Sequence, residues 1–203
     1  TTKNEWIMDL IKPYKEGLNE KKTDLNREEW KFIRVASYYS SPNTPHILGY
    51  IINNAILKAI THRQMRRVIL DEYSKLHVLN LHGSSKPPEQ VPVGVQEDQN
   101  IGEIDKNVFD IQQGVTFLIC DSFCQNAAIE DARILYGDLW GTRERKLGCL
   151  GQRTILDHVE KTLSPKDPYW FFIEHDDSFE TEFNQWSSLT DIFTKHISGI
   201  QSG

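Results

Sequence analysis

The chain has 203 residues, 38% of them hydrophobic and 26% charged, with a net charge of −6; this is the make-up of one soluble globular unit with an ordinary core. The acid excess excludes a chain that wraps nucleic acid by global attraction, since phosphate binding needs concentrated Lys and Arg, but it leaves room for a local basic face. No stretch reaches the roughly 20 continuous apolar residues that cross a bilayer; the start, TTKNEWIMDLIKPYK, carries acid where a signal peptide is basic, and three cysteines are too few for a disulfide framework, so a cytoplasmic protein with reduced thiols and no membrane partner is expected.

Trp6, Ile7, Leu10, Ile11 and Tyr14 fall at helical spacing and predict an amphipathic helix over 3–16. A second helix is expected from Asp24, a good N-cap, through Trp30, Ile33 and Ala36 to Tyr39, where SSPNTPH breaks it. Ile47 to Ile52 read as a buried strand whose end delivers Asn53 and Asn54, followed at once by a helix with Met65, Val68, Ile69 and Glu72 on one face and Arg63, Arg66 and Arg67 around it. KLHVLNL (75–81) is the next strand. Residues 83–106 contain three prolines and little periodicity, which predicts a long loop. Strands are expected over 115–120 and 133–139, a short helix in GTRERKLGCLGQR, a strand-like YWFFIE (169–174) and a short helix in SSLTDIF. The pattern is α/β: a mixed, partly parallel sheet with flanking helices, divided into a core over 1–130 and an appended strand-helix extension over 131–203.

Ordinary enzyme signatures are missing: no GxGxxG follows a strand, and neither GxxxxGK[ST] nor HExxH occurs. Cys120 and Cys124 have no second pair at metal-ligand spacing, so buried thiols are favoured over zinc. EHDD (174–177) reads as a solvated acidic turn, and Pro87-Pro88 lacks the preceding Asn or Asp and the following aromatic of an amine-methylating Pro-Pro motif. The three arginines serve equally as phosphate contacts or as a solvated helix face.

Taken together, GYIINNAILKAITHRQMRRVIL (49–70), LHVLNLHGSSK (76–86), KNVFDIQQGVTFLI (106–119) and LYGDLWGTRERKLGCL (135–150) resemble the adenine-specific (N6) DNA methyltransferases of restriction-modification systems, in the branch where methyltransferase and endonuclease are often fused. Order and spacing agree along nearly the whole chain, and NVFDIQQGV and DLWGTRERK are the most specific segments. The resemblance implies the distal, C-terminal half of a Rossmann-like methyltransferase fold, supplying its fifth, sixth and seventh strands. The glycine-rich turn for S-adenosylmethionine and the Asn-Pro-Pro-Tyr-like segment that polarises the adenine amine would lie upstream, so no cofactor is expected on this chain alone and no residue is assigned a catalytic role. Phe109 stands where related enzymes stack an aromatic on the flipped-out adenine, with Gln112 and Gln113 lining the same mouth; read from the residues alone, Phe109 is equally a strand-initial core residue. Asn53 and Asn54 sit at a strand's carboxyl end, where open α/β sheets bind ligands, or they cap the next helix. Arg63, Arg66 and Arg67 become DNA-backbone candidates. Two departures from the family are Ile52, where a small residue or Thr is usual, and Cys120-Asp121, where a basic residue is common.

The leading expectation is therefore a fragment that contributes target-base and DNA contacts and is inactive alone. The alternative is a stand-alone DNA- or protein-binding module, or one half of a split enzyme paired with a second polypeptide. An unpaired apolar edge on the Ile47 to Ile52 strand predicts self-association through that edge or through the Trp6 and Trp30 helices.

Overall fold

The computed structural model of the protein describes residues 3–20, 24–40, 45–122, 133–187 and 189–192. Five strands form one sheet: β1 (Ile47–Asn53), β2 (Lys75–Asn80), β3 (Val115–Asp121), β4 (Arg133–Asp138) and β5 (Lys161–Leu163), ordered β1-β3-β2-β4-β5. β3 is antiparallel to both β1 and β2, and β2 is parallel to β4, so β1, β2 and β4 all point one way with the reversed β3 lodged between the first two. β5 is antiparallel to β4. This is the mixed, partly parallel α/β sheet that the sequence predicts.

Strand periodicity of two sends alternate side chains into two separate cores. Leu76 and Val78 of β2, Leu118 and Cys120 of β3 and Ile134 and Tyr136 of β4 join Ile52 in the larger core. That core is closed by α2 (Glu28–Tyr39) through Trp30 and Ile33, and by α4 (Arg63–Glu72) through Met65, Ile69 and Leu70. Leu79, Val115 and Leu139 belong to the smaller core on the opposite face, against which Cys149 and Leu150 of α6 (Arg143–Gln152) pack. The smaller core stops short of β1, whose Ile47 and Ile51 are 62% and 52% exposed.

Several elements differ from expectation for local reasons. The helix expected over 3–16 is α1 (Lys3–Leu10) followed by a 3₁₀ turn, Lys12–Lys15, because Pro13 has no N–H to continue the ladder. α2 begins at Glu28 and not near Asp24, which instead accepts from Arg27 Nη1 at 2.9 Å in the turn before the helix. The 83–106 loop contains α5 (Val93–Gln99), opened after Pro92 and closed by Asn100 in the left-handed region. YWFFIE is not a strand. Phe172 is fully buried in the larger core, its N–H donating to Leu57 O at 3.0 Å, and the run plugs the sheet's helical face instead of joining its edge. The fifth strand is the short KTL of β5. Cys120 is buried, which pushes its thiol pKa up and leaves it inert; Cys124 lies outside the described residues.

Tertiary contacts divide the chain into Thr1–Ile173 and Glu174–Gly203. β4 and β5 belong to the first unit's sheet, while the expected junction at 130/131 lies outside the described residues. In the second unit, EHDD is an exposed turn in which Asp176 Oδ1 accepts from Ser178 N at 2.9 Å. It leads to α7 (Glu180–Phe183), and α8 (Leu189–Ile192) falls within SSLTDIF. Among the described residues no helix is long and apolar enough to cross a membrane.

Candidate functional site at the carboxyl ends of the strands

Because β1, β2 and β4 are parallel, their carboxyl ends converge, and they deliver Asn53-Asn54, Asn80 to His82 and Asp138 to Trp140 to one place. In open α/β sheets this is where ligands bind. Thr116 Oγ1 donates to Asn54 Oδ1, and Asn54 Nδ2 donates to Asn80 Oδ1 at 2.8 Å. Asn80 Nδ2 donates in turn to Tyr136 OH at 3.2 Å, and that hydroxyl donates to Asp138 Oδ1. Such a chain of amides and hydroxyls is tolerable in a buried place only because each member has a partner.

His82 closes the network. Its Nε2 is 2.8 Å from Asp138 Oδ1, its Nδ1 lies 3.3 Å from Asn80 Nδ2 and 3.7 Å from Glu89 Oε1, and its ring stacks on Trp140 with centroids 3.3 Å apart. Burial pulls the imidazole pKa down, but the hydrogen bond to Asp138 and the nearby Glu89 carboxylate outweigh it and hold the value above the ordinary one. His82 has φ +52°, and Gly83 after it φ +86°. A Cβ on Gly83 would lie 2.4 Å from Asn107 Cα, so glycine permits both the left-handed backbone and the contact of two chain segments.

That contact mounts the 107–113 loop. Asn107 Nδ2 donates to Gly83 O at 3.3 Å and to Gln113 O at 2.7 Å, while its Oδ1 accepts from Phe109 N at 2.9 Å. Ser85 N donates to Gln112 O at 2.9 Å. Beneath the neck, Asp105 accepts from Gly83 N at 2.6 Å and Gly141 N at 3.0 Å. Asp105 also pairs with Lys146 at 2.6 Å, both side chains having zero exposure. Lys146 Nζ donates further to Leu81 O and Lys106 O at 2.6 and 2.7 Å. Burial lowers its pKa, with Asp105 opposing.

The mount divides the Val-Phe pair between two environments. Val108 is 4% exposed in the smaller core, whereas Phe109 is 40% exposed, with Gln112 and Gln113 exposed beside it. Phe109 is not a core residue. The two asparagines also separate: Asn53 Oδ1 accepts from Ala55 N at 2.8 Å and opens α3 (Ala55–Lys58), while Asn54 enters the strand-end network. A Cβ on Gly114 would come within 2.7 Å of Asn54 Nδ2, so the glycine makes room for that amide.

The three arginines of α4 have different fates. Arg66 is fully buried: Nε donates to Tyr169 O at 2.9 Å, Nη1 to Ile56 O and Ala59 O at 3.0 Å each, and the guanidinium lies 5.3 Å from the Phe171 ring centroid. Burial first, and Arg63 second, pull its pKa down to about 9. Arg66 is committed to the carbonyls it clamps and is not available to a phosphate. Arg63 forms a two-pronged pair with Glu20, and only Arg67 is exposed. Among the described residues no group of His, Cys, Asp and Glu is arranged to hold a metal.

Of the residues named from sequence, Phe109, Gln112 and Gln113 lie on the pinned loop and Asn54 in the strand-end network, while Asn80, His82, Asp105, Asn107, Asp138 and Lys146 were not named. The available signal was polar residues interrupting apolar runs at strand ends, in NLHG and GDLWG, whose convergence depends on topology.

No family model matches the chain, and no curated protein does. Solved structures do match, each described by its own title. The DrdV–DNA complex, determined by cryoEM, superposes with TM-score 0.67 at 18% identity, covering 86% of this chain and 16% of that one. The ATP-dependent Type ISP restriction-modification enzyme LlaBIII bound to DNA gives 0.68 at 22%, covering 89% and 12%. A nuclease-deletion mutant of the Type ISP restriction-modification enzyme LlaGI, in complex with a DNA substrate mimic, gives 0.66 at 14%, covering 87% and 14%. The chain thus spans about an eighth to a sixth of the length of these proteins, and it shares with them the fold of that portion.

Proposed function

We propose that this chain is the target-base-holding portion of an adenine-N6 DNA methyltransferase of the restriction-modification kind. The observation that carries this is Phe109: an exposed aromatic on a loop pinned at its neck by Asn107, beside a polar strand-end network, in a fold shared with proteins solved on DNA or on a DNA mimic. A base extruded from a duplex needs a flat apolar surface to replace its lost stacking neighbours and polar groups for its edge. Phe109 supplies the first, and the amides of Gln112 and Gln113 supply the second. The adenine amine is a weak nucleophile, its lone pair delocalised into the ring. Polarising it, and supplying the methyl group from S-adenosylmethionine, fall on this reading to polypeptide outside these residues. Arg67 is the α4 side chain left to touch a phosphate.

Binding to a short duplex in which 2-aminopurine faces an abasic site tests this. Stacking on Phe109 quenches the probe; Phe109→Ala is expected to abolish the quench and weaken binding by about 1–3 kcal/mol, and Phe109→Trp to restore it. Unchanged quenching in Phe109→Ala would remove the aromatic from the role. Calorimetry with S-adenosylmethionine is expected to show no heat of binding. A clear isotherm would make this chain cofactor-competent and reassign the missing functions to it.

A second reading, a module that docks on a protein partner, is favoured by the charge balance: the net charge is −6 and, of three candidate phosphate contacts, Arg66 is buried and Arg63 is paired.

A further inference from the structure

The loop that presents Phe109 is held at its neck. One carboxamide does most of this: Asn107 Nδ2 donates to Gly83 O at 3.3 Å and to Gln113 O at 2.7 Å, and its Oδ1 accepts from Phe109 N at 2.9 Å. Ser85 N adds a bond to Gln112 O at 2.9 Å. The Asn107 side chain therefore closes residues 107–113 into a ring, fixes the backbone that carries the Phe109 side chain, and fastens both to the strand end at Gly83. Asparagine suits this post because its planar amide offers two donors and an acceptor at once, whereas aspartate offers no donor and alanine offers neither. The footing is rigid. Asn107 Cα lies so close to Gly83 that a Cβ there would approach within 2.4 Å, and Val108 is buried next to it. Below them Asp105, paired with Lys146 at zero exposure, accepts from Gly83 N and Gly141 N. The tip is different: Phe109, Ile111, Gln112 and Gln113 are exposed, and Asp110 meets Arg143 in an ion pair whose carboxylate is 90% exposed, which water and salt make weak.

We propose that Asn107 is the positioning residue for an extruded base: it does not touch the base, but it sets the Phe109 ring in stacking position before DNA arrives. This rests on the base-stacking role of Phe109 proposed above. A ring stacks on a base only over a narrow range of plane and height, so a ring on a free loop loses part of its contact energy to ordering that loop at each encounter. With the carboxamide in place that ordering accompanies folding, and the ring meets the base already oriented. The role also decides which DNA responds to a substitution. Asn107 is expected to matter for a duplex that presents a displaced base and not for one whose bases all stay stacked, because only the first reaches the ring.

The test measures quenching and affinity on two duplexes of one sequence, one with 2-aminopurine facing an abasic site and one fully paired. Asn107→Ala is expected to lose most of the quench and to bind the displaced-base duplex about tenfold more weakly, with affinity for the paired duplex unchanged. Asn107→Asp, which turns an oxygen toward Gly83 O and Gln113 O, is expected to behave alike, whereas Asp110→Ala keeps the wild-type quench. Joining Phe109→Ala to Asn107→Ala is expected to weaken binding little beyond either change alone, as for two groups serving one contact. Amide hydrogen exchange of the free wild type needs neither variant nor DNA: the Phe109 N–H, bonded to Asn107 Oδ1, is expected to be protected although its side chain is exposed. The positioning role alone is overturned by full quenching in both Asn107 variants, by equal losses on the two duplexes, by additive losses, by a loss in Asp110→Ala that matches Asn107→Ala, or by an unprotected Phe109 amide. Should both Asn107 variants fail to fold, the exchange result decides. Quenching that persists in Phe109→Ala, or none in the wild type, overturns instead the base-stacking reading itself.

Discussion

His62 is a buried histidine with no use for a proton. It is 2% exposed in the Ile60–His62 turn, edge-on to Trp30 with centroids 4.6 Å apart, its Nδ1 3.2 Å from Thr61 Oγ1 and its Nε2 without a partner. Burial first, and Arg66 second, bring its pKa from 6.5 down to about 4. The folded-state value is depressed, so the stability it permits is fully present above the unfolded value and is lost as pH falls toward the folded one. Between those limits the unfolded chain holds a proton that the folded chain refuses. The window spans about 2.5 pH units at about 1.4 kcal/mol each, hence about 3.5 kcal/mol, a sizeable fraction of the roughly 5–15 kcal/mol that holds a domain together. Urea unfolding followed by tryptophan fluorescence at pH 7, 6, 5 and 4.5 measures it. His62→Leu controls for the carboxylates, which titrate equally in both proteins. The wild type is expected to lose more stability than the variant across the window, by an amount approaching that figure. Equal losses would refute a neutral, solvent-excluded imidazole at this position.

Lys146→Met is expected to cost about 3–5 kcal/mol, because Asp105 is then buried without its cation; Asp105→Asn in the same chain should recover part of it, and urea midpoints check both. Gly137→Ala places a Cβ 1.8 Å from His158 O, so 158–159 must leave β4, and thermal unfolding should fall sharply or the protein fail to fold. Phe109→Ala, by contrast, is expected to alter unfolding free energy by less than about 0.5 kcal/mol, as for a surface substitution; a larger loss would make the ring structural. Arg66→Ala should destabilise the fold through three abandoned carbonyls, whereas Arg67→Ala should leave stability unchanged and reduce any salt dependence of DNA binding.

The central strands are legible in the sequence because burial on both faces writes β2 and β3 as near-continuous apolar runs with abrupt ends. The same rule misleads at YWFFIE, an apolar run that buries Phe172 without acquiring a strand partner, and it says nothing about β5, whose three residues are short and mostly exposed. α5 hides inside a proline-rich loop, where propensity is weak and Pro92 gives the only opening signal. At the candidate site, Phe109 is singled out by resemblance and Asn54 by its place at a strand end. Arg66 was misplaced because a helical arginine looks solvated until the carbonyls of Ile56 and Ala59, just upstream, and of the distant Tyr169 are seen to surround it. The His82, Asp138, Asp105 and Lys146 cluster belongs to four separate segments and exists only after the sheet has formed.

The placement of β1 also sets a schedule. Its one partner among the described residues, β3, begins at Val115, so a ribosome must extend the chain by roughly 60 residues after β1 before this pairing can start, and at about 5–20 residues per second this takes several seconds. During that interval Ile47-Leu48-Gly49-Tyr50-Ile51-Ile52 waits without β3, in a chain whose neighbours on the same message carry the identical segment. Long-range pairing of this kind keeps β1 waiting for β3 longer than β2, which ends at Asn80, and makes the nascent chain a substrate for chaperones that hold apolar segments.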